Sequence, residues 1–187
     1  MAVVSPFANL HQSIISRMAL KVPLVRYVAP DVGQLDHYDT RPNVSFPALL
    51  FEAADDFNFT DDAGKFIQEG VGIVVFRLAL AQYTSGSNLT PSDIRENALQ
   101  YYEYEQQIFA AFHGWSPDGF GRFKRRKSQK ELRRDSLLVR RIAYEIGFTD
   151  ESAKPLTTKV KLGDGSMNIN PDPGGEFNED FNNDFTI

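Results

Sequence analysis

The sequence predicts an α/β domain with a mixed or antiparallel sheet of about four strands, two helices on one face and an extended C-terminal arm. Three observations predict it. Two apolar segments, VSFPALLFEA from Val44 and GVGIVVFRLALAQ from Gly70, are joined by a polar stretch and read as paired strands. A segment opening Thr90-Pro91-Ser92-Asp93 carries a helix start signal. A third apolar segment, SLLVRRIAYEIGF from Ser136, alternates inward and outward residues and completes the sheet.

Composition sets the frame. A chain of 187 residues is one domain with some tail, and 42% hydrophobic residues, with 15 Phe and 7 Tyr, can build a substantial core. No apolar run reaches the roughly 18 residues that a membrane helix requires. The N-terminal MAVVSPFANLHQ lacks the basic and apolar regions of a signal peptide. With no cysteine there is no disulfide framework, which suits an intracellular origin or a virion protein assembled in the cytoplasm.

The elements follow in order. Ser5 is placed to cap a helix with Pro6 at its first position, and Phe7, Leu10, Ile14 and Met18 make one apolar face, ended by Pro23. Leu24 to Ala29 is a short strand and Pro30 to Gly33 a turn. Pro47 cannot donate to a ladder, so its strand is an edge or begins after it. The segment DDFNFTDDAGKFIQEG suits a long hairpin with its tip at Thr60 to Lys65. In the returning strand Val74, Phe76, Leu78 and Leu80 should face the helices, with Ile73, Val75, Arg77 and Ala79 on the far side. Ile73 and Val75 make that far side apolar enough to predict a cover, such as a neighbouring subunit.

Thr90 as N-cap, Pro91 at N1 and Asp93 at N3 predict a capping box. The helix behind it should bury Ile94, Ala98, Tyr101, Ile108 and Phe112 and end at His113-Gly114. A basic segment follows. The final strand places Leu138, Ile142, Tyr144, Ile146 and Phe148 on one side. The domain is assigned to residues 1–150 and the arm to 151–187. The arm is rich in Asn, Asp, Gly and Pro and is disordered alone, with Phe177, Phe181 and Phe185 as anchors should a partner order it.

Charge is unevenly spread. The net charge is −5, yet Arg122 to Arg141 holds ten of the 20 Lys and Arg against Glu131 and Asp135 alone. From Asp150 onward eight acids face Lys154, Lys159 and Lys161. The global balance argues against bulk nucleic-acid binding, while the basic block leaves a local polyanion contact open. Arg122, Lys124, Arg125, Arg126, Lys127, Lys130, Arg133 and Arg134 can track phosphates, and Phe120 and Phe123 can stack on bases. Contact with another subunit or with solvent is the plainer reading, because an exposed arm is charged to stay soluble.

Motifs of catalysis are missing. Asp55-Asp56 and Asp61-Asp62 do not supply the alternating oxygen ligands of a calcium loop. His11, His37 and His113 are too far apart for a metal site. No serine sits in a G-x-S-x-G elbow, and the glycines from Gly70 to Gly72 lack a phosphate-binding context. No cofactor, metal or catalytic residue is expected.

Gln34-Leu35, the run Arg41-Pro42-Asn43-Val44-Ser45-Phe46-Pro47-Ala48-Leu49-Leu50-Phe51-Glu52, the helix opening at Thr90 to Asp93, and Tyr144-Glu145-Ile146-Gly147-Phe148 carry a resemblance. Over residues 7–150 the chain resembles the tail-terminator and tail-completion proteins of tailed phages, small α/β ring-forming proteins of the head–tail neck. The resemblance implies a non-enzymatic virion protein that forms a homo-oligomeric ring and joins the tail to the portal or head connector. Other neck, portal and tail proteins would be its partners, with transient contact to genomic DNA in the channel and none to membrane. Closed rings need heterologous interfaces, and Phe57, Phe59, Phe66, Ile73, Val75, Phe177, Phe181 and Phe185 are the expected subunit contacts.

Overall fold

In the computed structural model the residues described are 5–36, 44–53, 57–60, 66–81, 87–133 and 135–153. Among these residues, two helices and six strands form a mixed α/β fold. Helix α1 spans Pro6–Lys21, and α2 spans Ser92–Phe112. The strands are β1 (Tyr27–Pro30), β2 (Ala48–Glu52), β3 (Phe57–Thr60), β4 (Gln68–Ala81), β5 (Lys124–Glu131) and β6 (Leu137–Asp150). They run β1-β2-β4-β6-β5, with β3 beside β4. Only β1 and β2 are parallel; the other pairings are antiparallel.

The sheet exceeds the expected four strands for two reasons. The basic segment is itself a strand, β5, and the first strand of the expected central hairpin is two pieces, β2 and β3, sharing one side of β4. Strand β2 begins after Pro47, yet it lies inside the sheet between β1 and β4. Strand β1 is shifted towards Pro30, whose missing N–H is tolerated at an edge.

Both helices pack on the same sheet face. Leu10, Ile14 and Met18 of α1 and Tyr104, Ile108, Ala111 and Phe112 of α2 meet Leu49, Phe51, Val74, Phe76, Leu78, Ile142, Tyr144 and Ile146. This is the inward set that period-two alternation predicts for β4 and β6. The α2 stripe lies further along than expected: Ile94 is 38% exposed, because the first half of α2 extends past the packed core. Neither helix has a side-chain cap. Thr90 meets the Ser87 hydroxyl at 3.1 Å instead of closing a capping box, and Pro91 occupies the N-cap. At the other end His113 is the C-cap and Gly114 follows at φ 80°, a conformation that favours glycine. Arg17 of α1 binds the Ala111 carbonyl there at 2.9 Å and lies over the Trp115 ring.

Gly70 and Gly72 admit aromatic rings. Phe57 lies opposite Gly72 and Phe59 opposite Gly70, and a Cβ on either glycine would collide with Phe57 or Phe148. Phe7, Phe57, Phe59, Phe120 and Phe148 form the resulting cluster, with ring centroids 5.1–6.1 Å apart.

Contacts divide the chain into two units, Met1–Lys154 and Pro155–Ile187, with the boundary near the change in composition. The described residues all belong to the first. Phe177, Phe181, Phe185, Arg134, His37 and the loop acids Asp55, Asp56, Asp61 and Asp62 lie outside them.

Candidate functional site

The sheet face opposite the helices is divided in two. Over one half, the turn after β1 carries Leu35 onto Ala48, Leu50, Ala79 and Val139, making a second small core. Two arginines and four carboxylates hold it there. Arg77 of β4 reaches Asp31 at 2.9 Å, Asp36 at 3.2 Å and Glu131 at 2.8 Å. Arg133, in the β5–β6 turn, reaches Asp135 at 2.6 Å, Asp36 at 2.9 Å, Glu131 at 3.0 Å and the Leu35 carbonyl at 2.7 Å. Burial opposes the charge on Arg77, but its bonds to Glu131, Asp36 and Asp31 outweigh that and hold it protonated. Bonding to Arg77 lowers the Asp36 carboxyl below its ordinary range, and Arg133 does the same to Asp135.

The other half is open. Among the described residues nothing packs over the depression of about 310 Å3 lined by Glu52, Ile73, Val75, Lys127, Gln129, Arg141 and Ala143. Register explains the composition: Glu52, Val75, Ala143 and Lys127 form one row across four strands, and Arg77, Arg141 and Gln129 part of the next. Val71, further along β4 on the same side, is 50% exposed. A bulge between Arg125 and Lys127 lets Arg126 turn to Glu145, which accepts its two bonds at 3.0 and 2.7 Å. That pair lowers the Glu145 carboxyl and raises Arg126. Among the described residues Lys124, Lys127 and Arg141 are in no ion pair. The surface is therefore an apolar strip beside Lys127 and Arg141, with Lys124 acting electrostatically on Glu145 across the strand pair. It can seat an apolar partner carrying carboxylates or phosphates.

The predicted site residues separate accordingly. Ile73 and Val75 are on the open face, partly exposed, as the alternation requires. Phe59 and Phe66 are 50% and 40% exposed at the far end of the β3–β4 hairpin. Phe57 packs over Gly72 into the aromatic cluster and is partly buried. The basic residues do not act as one arm, because a strand sends its side chains alternately to both faces. Arg125 lies over the Phe109 ring on the helix side, 3.9 Å from its centroid. Arg126 and Arg133 are committed to Glu145 and to the acidic turn. Arg122, Lys124, Lys127 and Lys130 are exposed and free of ion pairs among the described residues. Phe120 and Phe123 are buried in the main core, which removes them as base-stacking platforms. Sequence reading passed over Arg141 and Val71; the period-two pattern of β6 and β4 was the signal that places them with Lys127 and Ile73.

On the helix side a second depression, about 430 Å3, is lined by Tyr102, Glu103, Glu105, Gln106, Arg125 and Arg140. Glu105 accepts bonds from Ser128 and Arg140, so its charge is compensated within the fold. Burial and the neighbouring Tyr102 push the Tyr101 hydroxyl up to about 12. Among the described residues there is no group of three His, Asp or Glu able to hold a metal, and no helix long and apolar enough to cross a membrane. No family model matches the chain, and no curated protein matches it.

Proposed function

We propose that this protein is a structural virion component that assembles into a ring at the head–tail neck of a tailed phage, a tail-terminator, completion or connector ring around the DNA channel. The observation that carries the reading is the open half of the sheet. Val71, Ile73, Val75 and Ala143 form an apolar strip that a lone soluble chain gains nothing by exposing. The fold class, two helices on one face of a mixed sheet, agrees with the resemblance in the sequence. The role is non-enzymatic, and the partners are copies of the chain with neighbouring neck, portal and tail proteins. The test is sedimentation and negative-stain microscopy of the purified full chain. Closed rings are expected at micromolar concentration, and a protein that stays monomeric at high concentration would sink the reading.

A second reading is a nucleic-acid-binding module, favoured by the exposed cations Lys124, Lys127 and Arg141 on one face. It predicts duplex binding by the isolated protein that weakens steeply with salt and is lost in Lys127→Glu/Arg141→Glu. Binding unaffected by those changes would exclude this face as the nucleic-acid site.

A further inference from the structure

The open sheet face has a complement on the same chain. Helix α2 buries Tyr104, Ile108, Ala111 and Phe112 against the sheet, so residues half a turn away point outward. That outward strip holds Glu96, Leu99, Tyr102, Glu103 and Gln106 at three- and four-residue spacing, with Arg95 as its one cation. Leu99 is 44% and Tyr102 51% exposed. Among the described residues neither Glu96 nor Glu103 is in an ion pair. On the opposite side of the molecule, Lys124, Arg126, Lys127 and Arg141 outnumber Glu52 and Glu145 around the Val71–Val75 strip.

We infer that the outward strip of α2 on one copy docks on the open sheet face of the next copy, a head-to-tail contact. The inference rests on the ring reading and deepens it by naming both surfaces. Glu96 and Glu103 meet Lys127 and Arg141, while Leu99 and Tyr102 cover Ile73 and Val75. Lengths agree: the α2 strip from Glu96 to Gln106 is about 16 Å long, within the roughly 23 Å that the open half of β4 and β6 offers. Twofold pairing is disfavoured on either surface. Sheet face on sheet face sets Lys127 and Arg141 against their own copies, and helix on helix does the same with Glu96 and Glu103. Two complementary surfaces on opposite sides of one sheet propagate from copy to copy, and closure of that series is a ring.

The test exploits that asymmetry. Full-length Lys127→Glu/Arg141→Glu loses the sheet surface, and full-length Glu96→Lys/Glu103→Lys loses the helix surface. Each alone is expected to self-associate at least ~100-fold more weakly than the wild type. Mixed, the intact helix strip of one variant docks on the intact sheet face of the other and the charge-swapped surfaces dock likewise, so sedimentation velocity shows the mixture assembling where neither variant does alone. The chain carrying all four changes exchanges the charges within itself and regains assembly. Thermal melts establish that each variant is folded, and Lys127→Ala with Glu103→Ala serve as milder substitutes. Wild-type rings with variants that assemble unchanged overturn the pairing and leave the ring reading standing. So do two monomeric, folded variants whose mixture does not assemble. A wild type that never assembles removes both.

Discussion

Tyr144 lies fully buried among Phe76, Phe112 and Phe123, and among the described residues its hydroxyl has no hydrogen-bond partner. Burial accordingly holds that hydroxyl neutral, its pKa well above the tyrosine range. Desolvating a hydroxyl without a partner is unfavourable, whereas the ring is good core. Tyr144→Phe is therefore expected to leave stability unchanged or raise it by up to about 1 kcal/mol, read by urea denaturation. A loss above that would show a polar contact at the hydroxyl. Arg141 makes the opposite point. A cation in mid-strand opposite Arg77 is a repulsive cross-strand pair, yet only Arg77 is neutralised. A residue so placed favours an incoming anion.

At the scale of elements, the turn carrying Asp31, Leu35 and Asp36 is joined to the sheet by ion pairs and one apolar side chain. Asp36 and Asp135 titrate lower in the folded protein than in the unfolded chain. Their contribution is whole above the ordinary aspartate value of 3.8 and is lost as pH falls below it through the lowered folded values. Pepsin, active in this range, should begin to cleave near Leu35 as pH drops below 3.8, before the sheet unfolds. Arg133→Met should flatten that dependence by removing the partner of Asp135; an unchanged profile would count against the ion pairs as the fastening. Strand β5 is another element whose role differs from its composition. Its charges keep an edge strand from pairing indiscriminately, and three of the arginines in and just beyond it are spent on Phe109, Glu145 and the acidic turn.

At the largest scale, among the described residues, the sheet separates a helix-covered side from a side half covered by the latched turn and half open. Association through the open half combines charge pairs with apolar burial. Its dissociation constant should therefore rise with ionic strength and level off once the charges are screened, at around 0.5 M salt. Sedimentation equilibrium across a salt series checks this, and a salt-independent constant would leave the apolar strip as the whole attraction. Much of this architecture was legible in the sequence. Period two in β4 and β6, period 3.6 in α1 and the break at Gly114 are local patterns, and local patterns dictate which face of an element is apolar. The division of Lys124 to Arg133 between two faces was not legible, because a run of like charges carries no period until a partner strand sets its register. The same holds for Phe57 and Gly72, which meet only across a hairpin, and for Arg77 with Asp31, 46 positions apart. By itself the sequence determined the α/β class and the inward and outward sides of its main strands. Only the tertiary structure decided which charges are neutralised and which half of the far face stays open, since ion pairing and coverage depend on neighbours that the chain brings together from a distance.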